Sequence, residues 1–193
     1  MEINPVIERI ENAPLAVLGE SPFYDKKRNV LVYCDITGKR VFVYNISSDT
    51  SSEMEFEQAV GFVIPTAEVK YLSLIVGLEN KVVKVNFDTK TIVSDVVSVP
   101  EKYINGNCRF NDASCSLLGE IYCGYMNVDW RKGKRGFLFK LNLASKNSEN
   151  KLLTILDDTE MFLPNGSVTM FDKKGEELLY IVDSGDAWYS LTD

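Results

Sequence analysis

The sequence predicts an all-β chain assembled from a repeated unit of short strands. Three observations carry that prediction. Helical periodicity is scarce along the 193 residues, whereas β-branched and aromatic runs bounded by Asp, Gly, Asn and Lys recur from end to end. Four strand-like windows, Leu31-Val32-Tyr33-Cys34-Asp35, Ser73-Leu74-Ile75-Val76-Gly77, Glu120-Ile121-Tyr122-Cys123-Gly124 and Leu179-Tyr180-Ile181-Val182-Asp183, close at intervals of 42, 47 and 59 residues. Three of them are followed by a second run of one type, ending at Asn45, Asn86 and Asn142.

Taken in order, the first unit pairs Leu31–Asp35 with Lys39–Asn45 and adds a weaker third strand at Glu53–Ala59. The second repeats this with Ser73–Gly77, Asn80–Asn86 and Ile92–Val99. The third uses Glu120–Gly124, Gly136–Asn142 and Lys151–Leu156, lengthened by a polar loop, Tyr125–Arg135, that holds Asp129, Trp130 and several basic residues. A period of about 40 to 50 residues with about four short strands per unit is the signature of a β-propeller blade. The fourth unit is expected to be unfinished. Residues 1–193 therefore read as a single partial propeller domain of about four blades, an incomplete ring belonging to a longer protein.

Composition narrows the chemistry. A net charge of −7 repels phosphate backbones and anionic membranes, so no nucleic-acid role is expected. No apolar run reaches the length of a membrane helix and the start shows no leader, so no membrane association and a cytoplasmic location are expected. Cys34, Cys108, Cys115 and Cys123 have no C-x-x-C spacing and are expected to be buried reduced thiols. The absence of histidine removes Ser-His-Asp and Cys-His nucleophiles and every imidazole-ligated metal. Chemistry here must run on carboxylates, amides, Arg, Lys, Tyr or an oxygen-bound cation.

Three polar turns stand at comparable places in the repeat: Leu18-Gly19-Glu20-Ser21-Pro22, Arg109-Phe110-Asn111-Asp112 and Leu163-Pro164-Asn165-Gly166. In a propeller, equivalent positions converge on the central channel. Each also has an ordinary reading. Glu20 could be a solvated turn carboxylate, Asn165-Gly166 a left-handed turn, and Arg109 the partner of Asp112. Asp35 and Asp183 end strands and read as hairpin residues.

At these turns the chain resembles the regucalcin/gluconolactonase family, also called senescence marker proteins, which includes the insect luciferin-regenerating enzymes. The resemblance rests on Leu18-Gly19-Glu20-Ser21-Pro22-Phe23-Tyr24-Asp25, on Arg109-Phe110-Asn111-Asp112 with Gly124-Tyr125-Met126, and on Pro164-Asn165-Gly166 leading to Tyr180-Ile181-Val182-Asp183-Ser184. It implies a six-bladed propeller that holds one divalent cation in its channel and hydrolyses sugar lactones. Glu20 and Asn165 match the family's metal ligands, Arg109 and Asn111 the pair that holds the sugar hydroxyls, and Asp129 falls near its acidic substrate contact. The third ligand, which is also the proposed base, belongs to a Pro-Asp-Gly turn expected beyond Asp193. The chain departs from the family at Ala113, where Gly is usual, at Ser116, near which Asp is usual, and over Gly185–Asp193.

The residue chemistry agrees with the implied site. Carboxylate and amide oxygens suit calcium or magnesium and accept manganese or zinc. Arg109 donates in a rigid fork, and Asn111 both donates and accepts. The expected activity is metal-dependent hydrolysis of a small sugar lactone. The alternative is a calcium-binding regulatory protein without turnover.

Overall fold

The computed structural model describes residues 6–143, 152–154 and 161–185; the predicted continuation from Asp186 to Asp193 lies outside them. Among the described residues the chain is all-β, with four antiparallel sheets, two single-turn 3₁₀ segments and no α-helix. The first sheet runs in chain order through β1 (Gly19–Asp25), β2 (Val30–Asp35), β3 (Arg40–Asn45) and β4 (Thr50–Glu55). The second holds β5 (Phe62–Pro65), β6 (Ser73–Gly77), β7 (Lys81–Asn86) and β8 (Thr91–Ser98). The third holds β9 (Cys108–Cys115), β10 (Ile121–Asn127), β11 (Phe137–Leu141) and β12 (Leu152–Thr154). A hairpin of β13 (Pro164–Phe171) and β14 (Glu177–Asp183) follows.

The four windows and the second runs of the repeat fall on β2, β6, β10 and β14 and on β3, β7 and β11. The weaker third strands are β4, which begins earlier than expected, β8, and β12. The first strand of each sheet is a correction. The stretches read as polar turns enter strands: Glu20 lies in β1, Arg109 and Asn111 in β9, and Asn165 in β13. Each of those strands is bulged at the polar residues. Register slips between Glu20 and Phe23, between Phe110 and Ala113, and between Pro164 and Ser167. A bulge breaks the period-2 alternation and re-aims side chains, which hides a strand from pattern reading.

First strands lie beside first strands: β1 touches β5, β5 touches β9, and β9 touches β13. Ser21, at a positive φ of 53° in the β1 bulge, donates its hydroxyl to the Val63 carbonyl and accepts from the Val63 N–H, tying β1 to β5. The N–H of Gly61 bonds the Gly77 carbonyl, and a Cβ at Gly61 would run into the backbone carbonyl of Phe110, so only glycine lets β9 come this close. One core lies between the first two sheets, around Val32, Val41, Val63, Leu74 and Val83. A second lies between the second and third, built on Phe62, Phe110, Tyr125 and Phe139. The far face of the last hairpin is uncovered, with Val168, Met170, Leu178, Tyr180 and Val182 all exposed.

Asp35 and Asp183 prove to be staples within their sheets. Asp35 accepts from the N–H groups of Val17 and Leu18, just before β1, and from that of Gly38. Asp183 accepts from Phe162 and Leu163, just before β13, and from Gly185. Burial pushes the Asp35 carboxyl up, but the N–H groups of Val17, Gly38 and Leu18 and the Arg40 charge outweigh it and leave it below the usual carboxylate range. A group whose pKa is lower folded than unfolded gives stability that is present above its unfolded value and lost as pH falls through its folded value. Asp35→Asn is accordingly expected to cost about 2 kcal/mol near neutrality and less in acid. Urea unfolding of both proteins between pH 3 and 7 checks this, and a difference independent of pH would refute it.

Three of the four cysteines are buried and free, as expected, but Cys115 is exposed at the end of β9. Among the described residues no helix is long and apolar enough to cross a membrane.

Candidate functional site

The bulged first strands bring the predicted residues together. In β9 the burial pattern sets Phe110 into the core while the half-buried Arg109 and Asp112 flank it toward β1 and β13. Arg109 donates one terminal nitrogen to its neighbour's carbonyl, Phe110 O, at 2.9 Å and to Asn111 Oδ1 at 2.8 Å. Its Nε and other terminal nitrogen have no partner among the described residues. The guanidinium is thus fixed in place with donors to spare. Burial lowers its pKa, against which the Cys34 and Glu20 groups work, and a guanidinium stays charged regardless.

The reading of Arg109 as the ion-pair partner of Asp112 is corrected: Arg109 binds Phe110 and Asn111 instead. Asn111 is a buried brace. Its Oδ1 accepts from Arg109 while its Nδ2 donates to the Pro164 carbonyl at 2.9 Å, joining β9 to the residue before Asn165. Asn165 Nδ2 donates to Ser184 Oγ at 3.2 Å, and its amide oxygen takes no hydrogen bond among the described residues.

Asp112 is the residue that sequence reasoning missed. Its Oδ1 accepts from the Ala113 N–H, while Oδ2 takes no hydrogen bond among the described residues and lies 4.0 Å from where a Cβ on Gly166 would stand. Burial raises the Asp112 carboxyl, partly offset by the Ala113 N–H. Burial also raises Glu20; the Asp112 charge raises it further, and Arg109 offsets part of this. Two carboxylates therefore feel one another across the β1–β9 boundary, with Asp112 reaching toward the Asn165–Gly166 bulge. The sequence carries no signal for this, because the bulge in β9 sets the direction in which Asp112 turns.

Beneath them Cys34 donates its thiol to the Glu20 carbonyl at 3.4 Å. Burial and the surrounding acidic charges push this thiol up to about 12, so it packs and does not react. A cavity of about 290 Å³ opens where the four first strands meet, lined by Ser21, Val63, Asp112, Ser114, Gly166 and Ser167.

Asp129 stands apart in the β10–β11 loop, where it pairs with Lys132 at 3.1 Å and precedes the 3₁₀ turn Trp130–Lys132. That loop is strapped to both approaches to the site. Val128 donates its N–H to the Asn107 carbonyl, Asn105 donates to the Arg135 carbonyl, Gly136 bridges Met161, and the Arg135 guanidinium lies 3.6 Å from the Phe162 ring centre.

The donor chemistry fits a hard cation: carboxylates of Glu20 and Asp112 and the Asn165 amide oxygen, all oxygen, with Arg109 as the nearby positive group. Among the described residues no three His, Cys, Asp or Glu side chains gather into a metal-holding group, so any cation here draws on amide oxygens or water as well.

Known proteins resemble this chain in sequence and in fold. The family model of the SMP-30/Gluconolactonase/LRE-like region matches residues 18–189. Regucalcin of Danio rerio is 30% identical over 114 residues, which are 59% of this chain and 36% of that protein. Among solved structures, a luciferin-regenerating enzyme superposes with a TM-score of 0.71 at 23% identity, covering 91% of this chain and 55% of that one. A calcium-binding protein, regucalcin, from Agrobacterium tumefaciens gives 0.69 at 16% identity, covering 91% and 53%. The chain thus spans little more than half the length of these solved relatives and less of the curated one.

Proposed function

The chain belongs to the SMP-30/Gluconolactonase/LRE-like family, and from that membership we propose that it contributes the substrate-binding side and part of the metal-binding side of a metal-dependent sugar-lactone hydrolase. In this reading its sheets are consecutive blades of a six-bladed ring and residues 1–193 form one partial propeller domain. The observation that carries it is the convergence of a braced Arg109, with unspent donors, on the Glu20 and Asp112 carboxylates and the Asn165 bulge.

Glu20 and Asn165 would hold the divalent cation, calcium being the best match to all-oxygen donors. When bound, such a cation polarises a lactone carbonyl and acidifies a water. The rest is the work of this chain's side chains. Arg109 donates to the lactone's oxygens from a position fixed by Asn111, so little orientational entropy is lost on binding. Asn111 keeps one N–H and one lone pair for a sugar hydroxyl. Asp112, raised by burial and with Oδ2 unspent, is a carboxylate able to take a proton at that atom. Asp129 would contact substrate from the β10–β11 loop, where it pairs with Lys132.

Sugar-lactone hydrolysis measured with and without EDTA tests the reading: turnover that chelation abolishes is expected, and turnover indifferent to chelation would sink it. Calcium binding without turnover would instead favour a regulatory protein. Glu20→Gln is expected to weaken calcium binding at least about tenfold in titration calorimetry. Superimposable curves for the two proteins would remove Glu20 from the site.

A further inference from the structure

Three of the sheets repeat one detail beside the site. Gly19, Cys108 and Pro164, which pair with Asp35, Asn127 and Asp183, stand directly before Glu20, Arg109 and Asn165. In each sheet the next residue of the second strand's chain donates its N–H to the carbonyl just before the first strand. Ile36 bonds Leu18 at 3.0 Å, Val128 bonds Asn107 at 2.8 Å and Ser184 bonds Leu163 at 3.0 Å. Ile36, Val128 and Ser184 therefore occupy one place in the repeat, beside Glu20, Arg109 and Asn165 in turn. Ile36 is buried and Val128 exposed, so the backbone arrangement itself asks for no hydroxyl there.

The hydroxyl stands instead beside the one amide of the three site residues. Asn165 Nδ2 is engaged by Ser184 Oγ, while Oδ1 takes no hydrogen bond among the described residues. A carboxylate such as Glu20 offers two equivalent oxygens, and the Arg109 guanidinium donates from each of its edges. An amide has two unlike ends, and turned over it meets a cation with N–H donors in place of an oxygen. Ser184 is itself fixed on both sides. Asp183 accepts from Phe162 and Leu163, and Gly185 lies so near Phe162 that a Cβ would collide with it.

We propose that Ser184 is a positioning residue that holds the nitrogen of the Asn165 amide and so keeps the amide oxygen available to the divalent cation. It acts through Asn165 and does not itself touch the cation. The inference rests on the metal-dependent reading of the site, and its test needs no turnover. Calcium affinity is measured by titration calorimetry, with a thermal melt on each sample, for the native protein, Ser184→Ala, Ser184→Thr, Asn165→Asp and Asn165→Asp/Ser184→Ala.

Ser184→Ala is expected to weaken calcium binding about tenfold, as loss of a residue that orients a ligand does. Ser184→Thr, which keeps the hydroxyl, should stay within about threefold of the native protein. In Asn165→Asp either oxygen serves, so calcium binding persists, and adding Ser184→Ala is expected to change it less than about twofold. Native affinity in Ser184→Ala overturns the proposal. So does an equal loss in both backgrounds, which would make Ser184 a residue of the fold alone, and so does loss of binding in Asn165→Asp. A native protein that binds no calcium overturns the metal-dependent reading together with this role, whereas calcium binding indifferent to Ser184 overturns the role alone.

Discussion

Arg109→Ala is expected to lower kcat/KM for a sugar lactone about 100-fold, close to 2.7 kcal/mol of transition-state stabilisation, while moving the melting temperature by no more than a few degrees. The asymmetry follows from how the residue is held. Its guanidinium is tethered through one nitrogen to Phe110 O and Asn111 Oδ1, and its other donors serve nothing in the described structure. Burial disfavours the cation, so the fold gains little from keeping it there. Arg109→Lys should recover only a small part of the lost rate, because an ammonium cannot brace on Asn111 and present a second parallel donor. Steady-state kinetics with a thermal melt on the same samples decides it. A loss of stability matching the loss of rate would show Arg109 to be a packing residue.

The opposite outcome is expected one position along. Phe110 is fully buried and its ring meets Phe62 at 5.5 Å, Tyr125 at 5.2 Å and Phe139 at 6.4 Å, knitting the second and third sheets. Phe110→Ala is expected to cost about 3–5 kcal/mol, through lost transfer energy and the cavity left behind. Because Phe110 separates Arg109 from Asn111 on one strand, the site should loosen as the core does. Chemical denaturation measures the first effect; a change below about 1 kcal/mol would mean that the two sheets do not depend on this ring.

Sequence and structure agree most closely along the second strands. Leu31–Asp35 and Ser73–Gly77 lie on β2 and β6, which pair on both sides, and Leu179–Asp183 lies on β14, whose burial alternates residue by residue. The first strands were less legible. Glu20-Ser21, Asn111-Asp112 and Asn165-Gly166 look like turns because a bulge needs turn chemistry, a left-handed residue or a polar pair, in the middle of a strand. The convergence of Glu20, Arg109, Asn111 and Asn165 could be anticipated from their equivalent places in the repeat. The role of Asp112 could not, since whether it pairs with Arg109 or faces Glu20 depends on which way a bulge turns it. Nor does a strand-ending Asp declare whether it caps its own hairpin or reaches back to the segment before the sheet, as Asp35 and Asp183 do.

Those two staples bear on how the protein is made. Asp35 closes a loop of 18 residues onto Val17, and Asp183 one of 21 residues onto Phe162. Contacts so local close at small entropic cost and rank among the fastest to form. A sheet can be latched as soon as its second strand has left the ribosome, before any later sheet exists. The nascent chain then exposes one unfinished flank at a time, and the sheets assemble in the order in which the chain is translated.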